Sequence, residues 1–331
     1  MYTTLKQVKP LIPQLWKAGI VPFLHSSPAQ GKSSLSKQLA EQFKLKVIDL
    51  RLTELDSTDL SGLPYFNDGK AEFMPFNTFP LQGTPVPKGY EGWLIILDEF
   101  NSANQAVMAA AYKLVLDRQV GQHKLHDKVA MLACGNLESD NAIVNPMSTA
   151  LISRFAHFNI EINVDEWLEW ASKVGIDYRI TSYINFKKSN LYTFKPDATE
   201  PYASPRTWEM VSKVIKDNDE ISTLLVSSLI GDGVANEFVQ YTKLYHKLPT
   251  IKEILSNPEG IEIPNDLATT WAVMSMVTHS MTVDNHTKLT VFLRRLSSEL
   301  QYCALREIKY RNPAVLTRVL DWVKELAHEV M

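Results

Sequence analysis

Leu5, Val8, Leu11 and Leu15 recur three and four residues apart, which predicts a short amphipathic helix at the start of the chain. Short apolar runs follow at 21–25, 46–50, 92–98, 128–134 and 155–162, and each reads as a strand. The run Gly92-Trp93-Leu94-Ile95-Ile96-Leu97 is apolar without alternation, the pattern of a central parallel strand covered on both faces. Helical spacing returns between the strands. Leu35, Leu39 and Phe43 mark one face of a helix over 33–43, and another helix is expected over 103–117. Residues 60–89, rich in Gly, Pro, Asn and Phe, carry no helical period and read as a functional connection or a small inserted element.

From Val164 onward the strand signal fades. Asp165-Glu166-Trp167-Leu168-Glu169-Trp170 looks like a helix start with acids in its first turn. Ser204-Pro205-Arg206-Thr207 pairs a capping residue with proline at the first helical position. Further helices are expected over 268–281, 288–306 and 314–330. The pattern divides the chain into an α/β domain, 1–164, and an all-helical region, 165–331.

Composition narrows the class. A chain of 331 residues suits two domains, and 45% hydrophobic with 21% charged residues is the balance of a globular protein. The net charge is −3, with 15 basic and 15 acidic residues up to Asn163, so neither half is a basic slab built for charge-driven nucleic-acid binding. Cys134 and Cys303 lie far apart in apolar segments and read as buried, reduced thiols. No run approaches the ~20 apolar residues that cross a bilayer, and Met1-Tyr2-Thr3-Thr4-Leu5-Lys6 opens no signal-like segment. A cytoplasmic location is expected.

The candidate chemistry sits at strand ends. Gly31-Lys32-Ser33 follows the first strand and opens a helix, where backbone N–H groups and one lysine can converge on a phosphate. The segment Ser27, Pro28, Ala29, Gln30, Gly31, Lys32, Ser33 and Ser34 is therefore the expected nucleotide cradle, with Lys32 on the terminal phosphates and Ser33 on a magnesium ion. Ser26 and Ala29 stand where such loops usually have glycine, and both are expected to tax the backbone. A chance Gly-Lys-Ser at a helix start is the alternative; the preceding strand and a later acid pair argue against it. That pair, Asp98-Glu99, closes an apolar strand at the edge where open α/β sheets bind ligands. Asp98 would hold magnesium and Glu99 would orient and deprotonate water; capping of the next helix is the plainer role. Asn136, after Cys134-Gly135, is either a sensor of the terminal phosphate or half of a turn. His123 and His126 lack companions for a metal set, and Trp167 and Trp170 read as packing.

Gly31-Lys32-Ser33, Asp98-Glu99, Gly135-Asn136, Ser153-Arg154-Phe155 and Ser204-Pro205-Arg206 occur in the order and approximate spacing of AAA+ ATPases. The sequence resembles the MoxR-like group of that family, the helix-2-insert clade, and Asp59-Leu60-Ser61-Gly62-Leu63-Pro64 is similar to its inserted hairpin region. This resemblance implies a P-loop NTPase fold, α/β with a five-stranded parallel sheet and an all-helical lid. It implies that Asn136 is the sensor 1 residue, Arg154 the finger that reaches a neighbouring subunit's nucleotide, and Arg206 the sensor 2 arginine. It further implies ATP and Mg2+ as cofactors, a homo-oligomeric ring of six subunits, and chaperone-like remodeling beside a protein with a von Willebrand A domain. A DNA-handling AAA+ motor, and a nucleotide-gated module with little turnover, stay open.

Overall fold

The structure is a computed structural model that describes residues 2–140, 145–218 and 220–330. Six parallel strands form the main sheet, β1 (Tyr2–Thr3), β2 (Val21–His25), β3 (Leu45–Arg51), β6 (Gly92–Asp98), β9 (Val129–Gly135) and β10 (Phe155–Ile160). They lie in the order β1-β10-β2-β9-β6-β3. Five were expected. The sixth, β1, is a two-residue edge strand pairing Tyr2 with Asn159 and Thr3 with Ile160, too short to leave a periodic signal. The amphipathic start is two helices, Leu5–Val8 and Ile12–Lys17, rather than one. Pro10 lies between them, and its missing N–H and fixed φ break the run.

The apolar run of β6 is buried from Gly92 to Leu97 because both faces of the sheet are covered. Ile95 and Leu97 join Phe23, Phe100, Met131 and the helix Gln105–Leu116 in one core layer. Leu94 and Ile96 join Leu24, Leu35, Leu39, Leu132 and Cys134 in the other. Residues 60–89 include an antiparallel hairpin, β4 (Leu63–Asn67) and β5 (Lys70–Met74), turned at Asp68-Gly69, both with positive φ. A smaller hairpin joins β7 (Gln119–Val120) to β8 (His123–Lys124).

Two units are distinguishable along the chain, one running to Ile162 together with Lys195–Asp197, the other Asn163–Phe194 with the chain from Ala198 onward. The second contains no strand among its described residues. Asn163 caps the helix Val164–Val174, and Ser204 forms a capping box with Thr207 ahead of Pro205–Ile215. Its core gathers Trp208, Tyr183 and Phe238, and Trp208 Nε1 donates to the Asn190 carbonyl at 2.9 Å. The expected helix over 288–306 is two, His286–Leu293 and Ser298–Arg311, interrupted at Arg294–Ser297. Among the described residues no helix is long and apolar enough to cross a membrane.

Candidate active site

β2 lies between β10 and β9, so the chain leaves it in one direction and later returns on its other side. Open α/β sheets bind ligands beyond the carboxyl ends of strands at such a reversal. The residues following β2, β6 and β9 all project from this edge. β2 and β6 flank β9, which sets their ends roughly 10 Å apart by strand spacing.

From β2 the chain turns through 26–31 into the helix Lys32–Gln42. Gly31 has φ +97°, which suits glycine alone, and a Cβ there would stand 3.1 Å from Leu5 Cδ1. Ala29 also lies in the left-handed region, at φ 60°, so this replacement taxes the backbone as expected. Ser26 does not. It is absent from the left-handed residues, and its side chain is put to use instead. Buried Ser26 accepts from Lys32 Nζ through its hydroxyl at 2.7 Å and its carbonyl at 2.9 Å, while its own hydroxyl donates to the Ser27 carbonyl. Ser33 is exposed, and Ser34 accepts from Gln38 Nε2 at 3.4 Å.

A residue that sequence reasoning missed braces this loop. Ser27 Oγ donates to Asp140 Oδ1 at 3.0 Å, from a turn that follows β9. Asp140 is 8% exposed, and its Oδ2 and the buried Gln30 Oε1 have no hydrogen-bond partner among the described residues. Buried acceptors left unmatched at a loop of this shape fit a ligand that brings donors or a cation.

Asp98 ends β6 and accepts from the Glu99 amide at 2.9 Å through Oδ1. Glu99 breaks out of the strand with φ 54°. Its carboxylate lies toward the end of β3, where Thr53 Oγ1 donates to Oε2 and Arg51 Nε is 3.8 Å from Oε1. Burial, then the Asp98 charge, push the Cys134 thiol up to about 12, while Lys32 pulls it down. Both charges therefore act on one thiol inside β9. The Ser33 hydroxyl and the Asp98 carboxylate are hard oxygen donors, the kind of group that suits magnesium.

Asn136 is held by Asn101, a second missed residue. Asn101 is 3% exposed in the turn Phe100–Ser102; its Nδ2 donates to the Asn136 carbonyl at 2.8 Å and its Oδ1 accepts from the Asn136 amide at 3.0 Å. Gly135 permits this approach, since a Cβ there would fall 2.4 Å from Asn101 Oδ1. A cleft of about 400 Å³ opens beside the pair, lined by His25, Asn101, Asn136, Asn145, Met147 and Ile152 among others.

Arg154 is not brought to this edge. It precedes β10, and Phe155 pairs with Val21 at the opposite end of β2 from the phosphate-type loop. Four residues of strand put that end on the order of 13 Å from His25. The Arg154 side chain is exposed, without a hydrogen-bond or ion-pair partner among the described residues. Arg206 is exposed in the first turn of Pro205–Ile215 and belongs to the helical unit. His123 Nε2 contacts the Phe73 carbonyl at 3.1 Å, and His126 accepts from the Lys128 amide at 3.0 Å. Among the described residues no three His, Cys, Asp or Glu gather as a metal set.

No protein-family model matches the chain, and no curated protein matches its sequence. Among solved structures, the chain is similar to a candidate ATPase from Cytophaga hutchinsonii, with TM-score 0.38 and 16% identity over 90% of this chain and 79% of that one. It is also similar to the RuvB Holliday junction branch migration motor of Thermotoga maritima, with TM-score 0.34 and 13% identity over 95% of this chain and 86% of that one.

Proposed function

We propose that this chain is an ATP-hydrolysing AAA+ ATPase of the MoxR type that works as a homo-oligomeric ring and remodels a partner protein. The observation that carries the reading is the convergence of the loop 26–31, the Asp98-Glu99 pair and Asn136 at the carboxyl edge of three adjacent strands. Lys32 and the backbone N–H groups of the segment 27–34, Pro28 excepted because it carries none, bind the terminal phosphates. Ser33 and Asp98 hold Mg2+, which when bound offsets phosphate charge. Glu99 orients a water and takes its proton, and Asn136 positions the terminal phosphate. Arg154 serves a neighbouring subunit; its exposure at the far edge of the sheet supports a role in trans. Arg206 acts as the sensor 2 arginine of the helical lid region, 165–331, and 1–164 is the nucleotide-binding domain.

The hairpin favours a protein client over DNA. Phe66 is 86% exposed, Leu63, Phe73 and Met74 are also exposed, and Lys70 is the only basic residue from Leu63 to Met74. Exposed apolar side chains on the hairpin, Phe66 next to its polar turn and Leu63, Phe73 and Met74 at its base, suit a polypeptide segment better than a phosphate backbone. A ring of six and a von Willebrand A-domain partner belong to the same proposal.

Nucleotide binding and steady-state hydrolysis test it. Lys32→Ala is expected to remove ATP binding, and Glu99→Gln to keep binding while losing turnover. Arg154→Ala should keep binding and cut the rate on the order of 10³-fold, with activity partly restored on mixing with Glu99→Gln. Turnover untouched by Glu99→Gln would overturn the assignment, and turnover stimulated by DNA in a salt-sensitive manner would favour the DNA motor.

A further inference from the structure

His25 is the last residue of β2, directly ahead of the serine that receives Lys32. Its Nε2 is 2.8 Å from His157 Nδ1 on β10, and His157 Nε2 is 2.8 Å from the carbonyl of Ile152. Ile152 is the last residue of the helix Thr149–Ile152, two positions before Arg154. The protonation pattern follows from the chemistry of the ends. A carbonyl only accepts, so His157 Nε2 carries hydrogen. In neutral His157, Nδ1 is then an acceptor, and His25 Nε2 must donate to it. The two rings stack with centroids 5.1 Å apart at 19°, and His25 stacks on Phe23 at 3.9 Å. The relay is held by packing as well as by hydrogen bonds.

We propose that His157 is a positioning residue that ties the start of the phosphate loop to the turn bearing Arg154, through the chain His25–His157–Ile152 carbonyl. This rests on the reading of Arg154 as the residue that serves the neighbouring subunit. The loop and the turn lie at opposite ends of β2, so neither side chain senses the other directly. The relay spans that distance with two imidazoles. A shift of β2's last residue when the loop closes on phosphate is transmitted to the carbonyl that ends the short helix, and so to the aim of Arg154. Its function is to make one subunit's occupied loop a condition for aiming its arginine at the next.

The test compares two substitutions that separate stacking from hydrogen bonding. His157→Phe keeps the ring but loses both bonds, whereas His157→Gln retains one acceptor and one donor at similar separation. Turnover at saturating ATP is expected to fall roughly tenfold in His157→Phe, with ATP affinity changed less than about twofold, and to recover largely in His157→Gln. The double variant His157→Phe with Arg154→Ala should be no slower than Arg154→Ala alone, since both act through one group. Independent, multiplying losses, or a His157→Gln as impaired as His157→Phe, overturn the relay. If His157→Phe is inactive while Arg154→Ala retains full turnover, the reading of Arg154 has failed, and the relay falls with it. If Arg154→Ala is slow and His157→Phe is not, only the relay falls. Should His157→Phe not fold, 15N-histidine spectra of the unaltered protein decide: both rings are expected as neutral Nε2–H tautomers, and Nδ1–H on His157 overturns the assignment.

Discussion

Asn101→Ala is the sharpest probe of how this site is built. The side chain is 3% exposed and clamps the main chain of Asn136 with two hydrogen bonds of 2.8 and 3.0 Å. The amide orientation is forced, because the Asn136 N–H needs an acceptor and its carbonyl needs a donor. Truncation leaves both groups without that partner. A buried group so orphaned costs about 1–3 kcal/mol, and Asn136 is only half-buried, so water recovers part of it. The expected loss is about 2 kcal/mol for the pair. With an m-value of about 2 kcal/mol/M in urea, the midpoint falls by about 1 M. On the proposed role of Asn136 at the terminal phosphate, the same change releases its main chain, so turnover should fall by up to about 10²-fold with little change in ATP affinity. Asn101→Asp adds a control of the same shape: it keeps the acceptor but sets an oxygen against the Asn136 carbonyl, and should be at least as damaging at neutral pH. An Asn101→Ala protein within about 0.5 kcal/mol of the parent, turning over ATP at the parent rate, would refute the reasoning.

Ala29→Gly should relieve the left-handed backbone at φ 60°; the relief of about 1–2 kcal/mol exceeds glycine's entropic penalty of about 0.5–1 kcal/mol, so thermal denaturation is expected at a higher temperature. A lower melting temperature would show that the loop needs its methyl group. Cys134, buried and pushed up to about 12, should resist iodoacetamide at pH 8 in the native protein and react on unfolding in urea. Native labelling at Cys134 would contradict its burial. His25 is lowered to about 4 by burial, then by His157 and Lys32, against an ordinary 6.5. The unfolded chain therefore binds a proton there before the folded one does. Stability from this group is present above about pH 6.5 and is lost as pH falls toward 4, at no more than about 1.4 kcal/mol per pH unit. Urea midpoints of the parent and His25→Phe should diverge across that window; parallel curves would remove the assignment.

Local sequence was enough for the parts whose physics is local. The unbroken apolar run 92–97 announces a strand covered on both faces, as its complete burial bears out. Gly31 at a helix start, the acids closing β6, the acids Asp165 and Glu166 in the first turn of their helix, and the cap at Ser204 are signals that neighbours in the chain create between themselves. Tertiary structure decided what depends on the path of the backbone. Ser26 and Ala29 look alike as replacements for glycine, yet only Ala29 takes a left-handed φ, because the loop's course and not its composition sets each dihedral. The groups that hold the site come from far away in sequence: Asn101 reaches Asn136 across 35 positions, Thr53 reaches Glu99 across 46, and Ser27 reaches Asp140 across 113. No periodicity records such pairs, since each is made by strand order bringing two loops to one edge. Strand direction also sends Arg154 to the opposite edge, because it precedes the parallel β10 whereas the loop 26–31, Asn136 and the acid pair lie at the ends of theirs.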